Sequence, residues 1–543
     1  MLKVCPKETA SMLTRDGVRL DADIYRPDAA GEFPVLLMRQ PYGRAIASTV
    51  VYSHPAWYAK RGYIVVIQDV RGRGTSEGEF NLFASETADG FDAVNWAANL
   101  PGSSGKVGMY GFSYQGLTQL YAAAAKPSAL ITICPAMVGC DLYADWAYEG
   151  GAFCLQSNLG WAIQLAAETA RLKGDISVHQ SLYAASRNLP LYDTVPARPE
   201  IIKKLAPDSY YHDWLDNYQP SEYWEKLSPN LKDLDLPMLH VGGWFDTYLR
   251  GTIRLYKEMA GGSSSPQHLI VGPWAHLPWG RKVGTIDYGL AASNPVDELQ
   301  IRWFDCFLKK LDTGILDNPP IALFEMGSNN WLQFDKWPQK HHQSYFLATN
   351  GLAAMREDAG ILTEICADVC TDDIFVHDPW RPVPSLGGHA AFPAGSFERS
   401  TIDCRSDVLT YTSAPLAADL HIAGEVFVEV FCTADALTFD LCAILSEVKD
   451  NGSAYNFTQG YVRVNSGTIP VRIALQSTCM QIARGNALRL SLSAACFPAY
   501  DVNSGTGAPP GVARLIDAKI MTLTVSCGGS CPSQILLPIG DRT

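Results

Sequence analysis

The 543-residue chain has no excess of positive charge: 43 lysines and arginines face 56 aspartates and glutamates, for a net charge of −13. Phosphate backbones are gripped by clustered cations, so this balance excludes a nucleic-acid binder and disfavours anionic membranes and polyanionic substrates. No segment reaches the roughly 18 consecutive apolar residues of a membrane span. The start, MLKVCPKETASMLTRDG, has no apolar core of the kind a secretory signal needs. The expectation is a cytoplasmic protein with no membrane partner. The 14 cysteines lack the close spacing of a disulfide framework. Cys366 with Cys370 and Cys527 with Cys531 are suggestive pairs, but neither has a suitably spaced histidine cluster nearby, so no metal is expected. Charged residues are few, 18% against 47% hydrophobic, which excludes a disordered chain. The length exceeds what one core organises and implies two or three domains.

Nucleotide-binding signatures are missing as well. Gly72-Arg73-Gly74 follows the strand-like run YIVVIQDV, but Glu77 stands where a third glycine is needed, and a carboxylate there repels a pyrophosphate. No Walker-type lysine loop exists. No organic cofactor is expected.

What is present alternates. MLTRDGVRLDADIYRP reads as two strands around Asp16-Gly17. PVLLMRQP, YIVVIQDV and KVGMYGFS are continuous apolar runs suited to strands buried on both faces, and a helix is expected between Thr87 and Leu100. That order predicts a mostly parallel α/β sheet covered by helices on both sides. Between Cys140 and Asp235 the texture turns helical and aromatic-rich, and strand-like runs return at Leu236 to Asp246 and His268 to His276. A helix from Val296 to Leu311 closes this part, and short β-prone runs then dominate. The predicted division is an α/β catalytic domain over 1–139 and 236–315, a helical cap over 140–235, and an all-β jelly roll over 316–543.

The sharpest local feature is GKVGMYGFSYQG. A strand ends in Gly111-Phe112-Ser113-Tyr114-Gln115-Gly116 and the helical stretch LTQLYAAAA follows. A serine on such a turn is lifted above the sheet, with the next N–H aimed at a developing oxyanion. The second glycine of the usual G-x-S-x-G pattern falls one place late, with Gln115 in its stead. Taken alone, Ser113 also reads as a simple helix cap. A nucleophilic serine needs a base and an orienting acid. Asp246 and His276 each follow a strand, so each leaves the sheet at the edge where Ser113 sits, and the order Ser-Asp-His is that of α/β-hydrolases. Asp233 and Asp235 precede their strand, and His240 lies inside it.

The segments GYIVVIQDVRGRGTSEGEF, ETADGFDAVNWAANLPGSSGKVGMYGFSYQG, GGWFD and GPWAH together resemble the cocaine-esterase/NonD-like serine hydrolases. Those are relatives of Xaa-Pro dipeptidyl-peptidases, glutaryl acylases and α-amino-acid ester hydrolases. LHIAGEVFVEVF and LRLSLSAACFPAYDVNSGTG are similar to that family's jelly-roll domain. The resemblance implies an α/β-hydrolase domain, a cap and a jelly roll around one site. It implies Ser113 as nucleophile, Asp246 as acid, His276 as base, and an oxyanion hole of the Tyr42 hydroxyl with the Tyr114 N–H. Tyr248 matches a pocket aromatic of the family.

The expected activity is therefore hydrolysis of a small-molecule ester or amide through an acyl-enzyme. An acyltransferase using an amine or alcohol keeps the same residues, and a dipeptidyl-peptidase is disfavoured because no large N-terminal extension is seen. A silent binding protein is the reading from another class. Trp146, Tyr148, Trp161, Trp214 and Trp224 in the cap favour apolar or aromatic groups. Asp141, Asp145, Glu149 and Asp213 are expected on solvated helix faces, although acids there could anchor an amino group. A homo-oligomer is compatible with the sequence.

Overall fold

The computed structural model describes residues 1–45, 49–338, 342–467 and 469–539. Its first sheet contains β1 (Glu8–Leu13), β2 (Arg19–Tyr25), β3 (Phe33–Gln40), β4 (Ile64–Asp69), β5 (Ser103–Phe112), β6 (Leu130–Ala136), β7 (Met238–Phe245), β8 (Gln267–Ala275), β9 (Ile321–Glu325) and β10 (Asn330–Phe334). The spatial order is β1-β2-β4-β3-β5-β6-β7-β8-β9-β10. Pairing is parallel from β4 through β9, and the first hairpin and β10 add antiparallel edges. The apolar runs form these strands because both faces are covered: every residue of β4 and β7 is buried.

Helices α1 (Glu86–Ala98) and α2 (Tyr114–Ala124) belong to this domain. Between β6 and β7 the chain leaves the sheet to build the cap. The cap holds a short hairpin at 148–153, α3 (Leu155–Leu172) and the shorter helices Ile176–Arg187, Glu200–Leu205, Tyr210–Asp216 and Glu222–Leu227. After β7 come α4 (Leu249–Gly262) and α5 (Val296–Lys309). The strand period of two divides the apolar side chains between two cores. Val35, Leu37 and Val66 pack with α1, α2 and the cap tryptophans Trp146, Trp214 and Trp224. Leu36, Met38, Val65 and Ile67 pack with Trp303 and Phe304 of α5 on the opposite face. The cap thus sits on one side of the sheet only.

The C-terminal part is an all-β jelly roll, an 11-stranded sheet among the described residues with a separate two-stranded ribbon of Leu420–Gly424 and Thr478–Ile482. Its core is continuous with β7, β8 and α4, since Phe245, Leu249 and Val271 cluster with Val428, Leu441 and Leu490. The sequence places residues 321–334 with the jelly roll; in the structure β9 pairs in parallel with β8 and β10 returns beside it, so the first sheet extends past residue 315. A short β-prone run has the same composition whichever sheet accepts it. Here the parallel pairing of Leu269 with Ile321 decides.

Candidate active site

Ser113 stands between β5 and α2 with φ 59° and ψ −127°. A non-glycine residue pays strain for that conformation, which is held by the Ser113 N–H donating to the Ala136 carbonyl at 3.0 Å. The late glycine now has a physical account. A Cβ on Gly116 would lie 2.9 Å from the Ala136 oxygen, so this is the position where α2 crosses β6 too closely for a side chain. Gln115 fits because its side chain turns back: its Oε1 accepts the Phe112 N–H at 3.4 Å. Tyr114 opens α2, where first-turn N–H groups have no intrahelical acceptor. Its phenol donates to Glu86 at 2.7 Å, and Glu86 pairs with Arg39 at 2.5 Å, so the elbow is fixed from behind.

The sheet brings the other two predicted residues to the same rim. Phe112 is in register with Ala136, Ala136 with Val241, and Phe245 with Ala275, so all three residues leave at the carboxyl edge, with Asp246 and His276 carried about four residues beyond the level of Ser113. Asp246 is fully buried and its Oδ1 lies 2.7 Å from His276 Nδ1. Carriage of the Nδ1 proton toward Asp246 leaves Nε2 as the basic nitrogen. Among the described residues no hydrogen bond joins Ser113 Oγ to the imidazole. The Phe112 ring, next to the serine, lies 5.4 Å from that of His276. Bonds between nucleophile and base are often loose without substrate and tighten in its complex.

Tyr42 completes the rim. Trp161 Nε1 donates to its hydroxyl oxygen at 3.1 Å, and since indole is donor-only, the phenolic hydrogen stays available to another acceptor. Burial pushes the Tyr42 pKa up to about 12, against smaller opposing effects of Trp161 and Arg73, so it remains a donor at neutral pH. Tyr248 lies beside His276, its ring 5.1 Å from the imidazole and 4.2 Å from Trp146. His240 is a buried strand residue bonded to Gln267 at 3.0 Å. Asp235 binds the serines of the 263–265 loop.

Two of the cap acids are not on solvated faces, contrary to expectation. Asp145 is buried and paired with Arg254 at 2.5 Å. Glu149 is buried at the junction of all three domains and accepts from Arg250 at 2.9 Å, His389 at 2.9 Å and Tyr500 at 2.7 Å. Arg250, four residues after Asp246, also donates to the Ala144, Tyr148 and Thr247 carbonyls. From the jelly roll, Gln476 Nε2 donates to the Asp246 carbonyl at 2.8 Å. These residues lock the acid-bearing loop to cap and jelly roll. No sequence motif marks them, because each contact joins segments more than a hundred residues apart or rests on an isolated polar residue.

The Glu149 network has a pH signature. Burial opposes ionisation, but His389, Arg250 and Tyr500 outweigh it and hold the carboxyl at about 2, below its ordinary 4.5. Stability from this group is therefore full above pH 4.5 and is lost as pH falls toward 2. Glu149→Gln, which leaves Arg250 without its carboxylate, is expected to cost about 3 kcal/mol at neutral pH. In urea melts the gap from wild type should narrow on acidification; a gap unchanged from pH 7 to 3 would contradict the assignment.

A parallel sheet with this elbow, an acid–imidazole pair at its carboxyl edge and an inserted cap defines a serine hydrolase of the α/β-hydrolase fold. Residues 16–278 match the family model of X-Pro dipeptidyl-peptidase (S15 family), and 313–536 match that of the X-Pro dipeptidyl-peptidase C-terminal non-catalytic domain. The chain is 30% identical over 566 residues to cocaine esterase of Rhodococcus sp. (strain MB1 Bresler), covering 97% of each. In fold it is similar to an aminopeptidase from a marine-sediment Thaumarchaeota archaeon, with 21% identity, a TM-score of 0.82 and coverage of 99% and 96%. It is likewise similar to an α-amino acid ester hydrolase, with 21% identity, a TM-score of 0.78 and coverage of 98% and 97%. The chain belongs to the cocaine-esterase/NonD-like family of serine hydrolases, related to the S15 peptidases. Among the described residues no helix is long and apolar enough to cross a membrane.

Proposed function

We propose that the chain hydrolyses esters of apolar or aromatic carboxylic acids through an acyl-enzyme on Ser113. The observation that carries this reading is the strained Ser113 elbow at the same sheet edge as the 2.7 Å Asp246–His276 pair, with the neighbouring Phe112 ring 5.4 Å from the imidazole. His276 Nε2 takes the Ser113 proton as Oγ attacks the carbonyl, and Asp246 stabilises the imidazolium that forms. The Tyr42 hydroxyl and Tyr114 N–H receive the oxyanion, and His276 then protonates the departing alcohol. Water repeats the cycle on the acyl-enzyme and frees the acid.

Substrate class follows from what surrounds His276. Tyr248 and Trp146 stack beside it, and Trp161 lies 5.6 Å from Trp146, a wall suited to an apolar acyl or aryl group. An ammonium group would need an uncommitted carboxylate, whereas Glu149 and Asp145 are paired and Asp141 caps the turn at Tyr143 and Ala144. Aminopeptidase and amino-acid ester hydrolase activities are therefore disfavoured. A panel of aryl esters, amino-acid esters and dipeptidyl anilides tests this. The expected result is a burst of alcohol equal to enzyme concentration and kcat/KM at least about tenfold higher for neutral aryl esters. Preference for the amino-terminal substrates would overturn it.

A further inference from the structure

Four arginines are buried among the described residues, and three have carboxylate partners. Arg39 pairs with Glu86 at 2.5 Å, Arg399 with Asp403 at 3.3 Å, and Arg489 with Asp403 and Glu357 at 3.6 Å. Arg73 is the exception. It is 1% exposed, and among the described residues no carboxylate lies within ion-pair distance. Its hydrogen bond there is from Nη1 to the Leu165 carbonyl at 3.2 Å, its Nε has no partner, and its guanidinium lies 3.7 Å over the Phe80 ring. Glu168 feels its charge but is bound by Arg171.

An unpaired buried cation is costly, and the site lies behind the oxyanion hole. Leu165, which Arg73 bonds, is one turn along α3 from Trp161, which holds the Tyr42 hydroxyl. Phe80, which it covers, packs at 6.3 Å on Tyr114, and Tyr114 lies 6.4 Å from Tyr42. The negative charge suited to compensating Arg73 is one that forms only during the reaction. In a water-poor site a fixed charge so placed acts without reorganising.

We propose that Arg73 is a fixed positive charge supporting the oxyanion bound by Tyr42 and Tyr114, a positioning residue that lowers the barrier of acyl transfer without binding the substrate. Burial lowers the Arg73 pKa to about 10, so the group remains charged at neutral pH while its ionisation weakens the fold. A residue kept only for packing would behave in the opposite way on substitution.

The inference rests on the Ser113 mechanism, so the full-length wild type is first treated with a fluorophosphonate probe; lack of labelling at Ser113 sinks that mechanism, not this role alone. Arg73→Met, Arg73→Gln and Arg73→Lys are then compared on an aryl ester and on phenylboronic acid, whose adduct with a serine is a tetrahedral anion. For Met and Gln the expected result is kcat lowered about tenfold or more with KM little changed. Boronate affinity should fall by a similar factor, the melting temperature should be unchanged or higher, and Lys should restore most of kcat. In folded Met or Gln variants, kcat within about twofold of wild type overturns the proposal. So does a kcat loss with unchanged boronate affinity, or a rise confined to KM.

Discussion

Ser113→Ala is expected to lower kcat on an aryl ester by about 10⁴-fold or more, leaving a folded protein that still binds substrate. The magnitude follows from the mechanism, since without Oγ there is no acyl-enzyme and only the oxyanion donors and the pocket remain. Alanine keeps the same backbone strain at φ 59°, so its stability should match the wild type. Ser113→Gly separates the two effects. Glycine adopts that backbone freely, so this variant should be equally inactive yet more stable by about 1 kcal/mol, read from chemical denaturation. An active Ser113→Ala enzyme, with contaminating wild type excluded by mass, would remove the nucleophile from the account.

Asp246→Asn carries the second large effect. The carboxylate is fully buried, 2.7 Å from Nδ1, and keeps the imidazole in the tautomer whose Nε2 is free to accept. An amide can present its NH₂ to Nδ1 instead and stabilise the wrong tautomer. The expected loss is again on the order of 10⁴-fold in kcat. Gln476 still holds the loop through its bond to the residue 246 carbonyl, so the fold should be preserved. The decisive readout is the pH profile: activity should recover partly at high pH, where a hydroxide-assisted route needs no imidazole base. A loss below about tenfold would place the orienting acid elsewhere.

The parts of this site that can be read in the chain are those fixed by short-range patterning. Three apolar runs end at Phe112, Phe245 and Ala275, and in a parallel sheet such ends share an edge, so topology alone puts Ser113, Asp246 and His276 on one edge. The glycine at 116 instead of 115 looks like a departure until the Ala136 carbonyl is placed against α2, which no one-dimensional pattern contains. Tyr42 is an ordinary loop tyrosine by composition, and only family resemblance singles it out. Its partner Trp161 lies 119 residues away. Glu149 and Asp145 read as solvated helix acids because their arginines lie more than a hundred residues onward or on another helix. The sheet that Ile321–Glu325 joins is hidden for the same reason: the run is β-prone in either sheet, and pairing with β8 is a tertiary choice.

The most direct test is mass analysis of the intact wild-type enzyme after reaction with a fluorophosphonate. The account predicts stoichiometric gain of one phosphonyl group with complete loss of esterase activity, the adduct residing on the peptide that contains Ser113. Full inactivation with the adduct on another residue, or full labelling at Ser113 with esterase turnover intact, would contradict it.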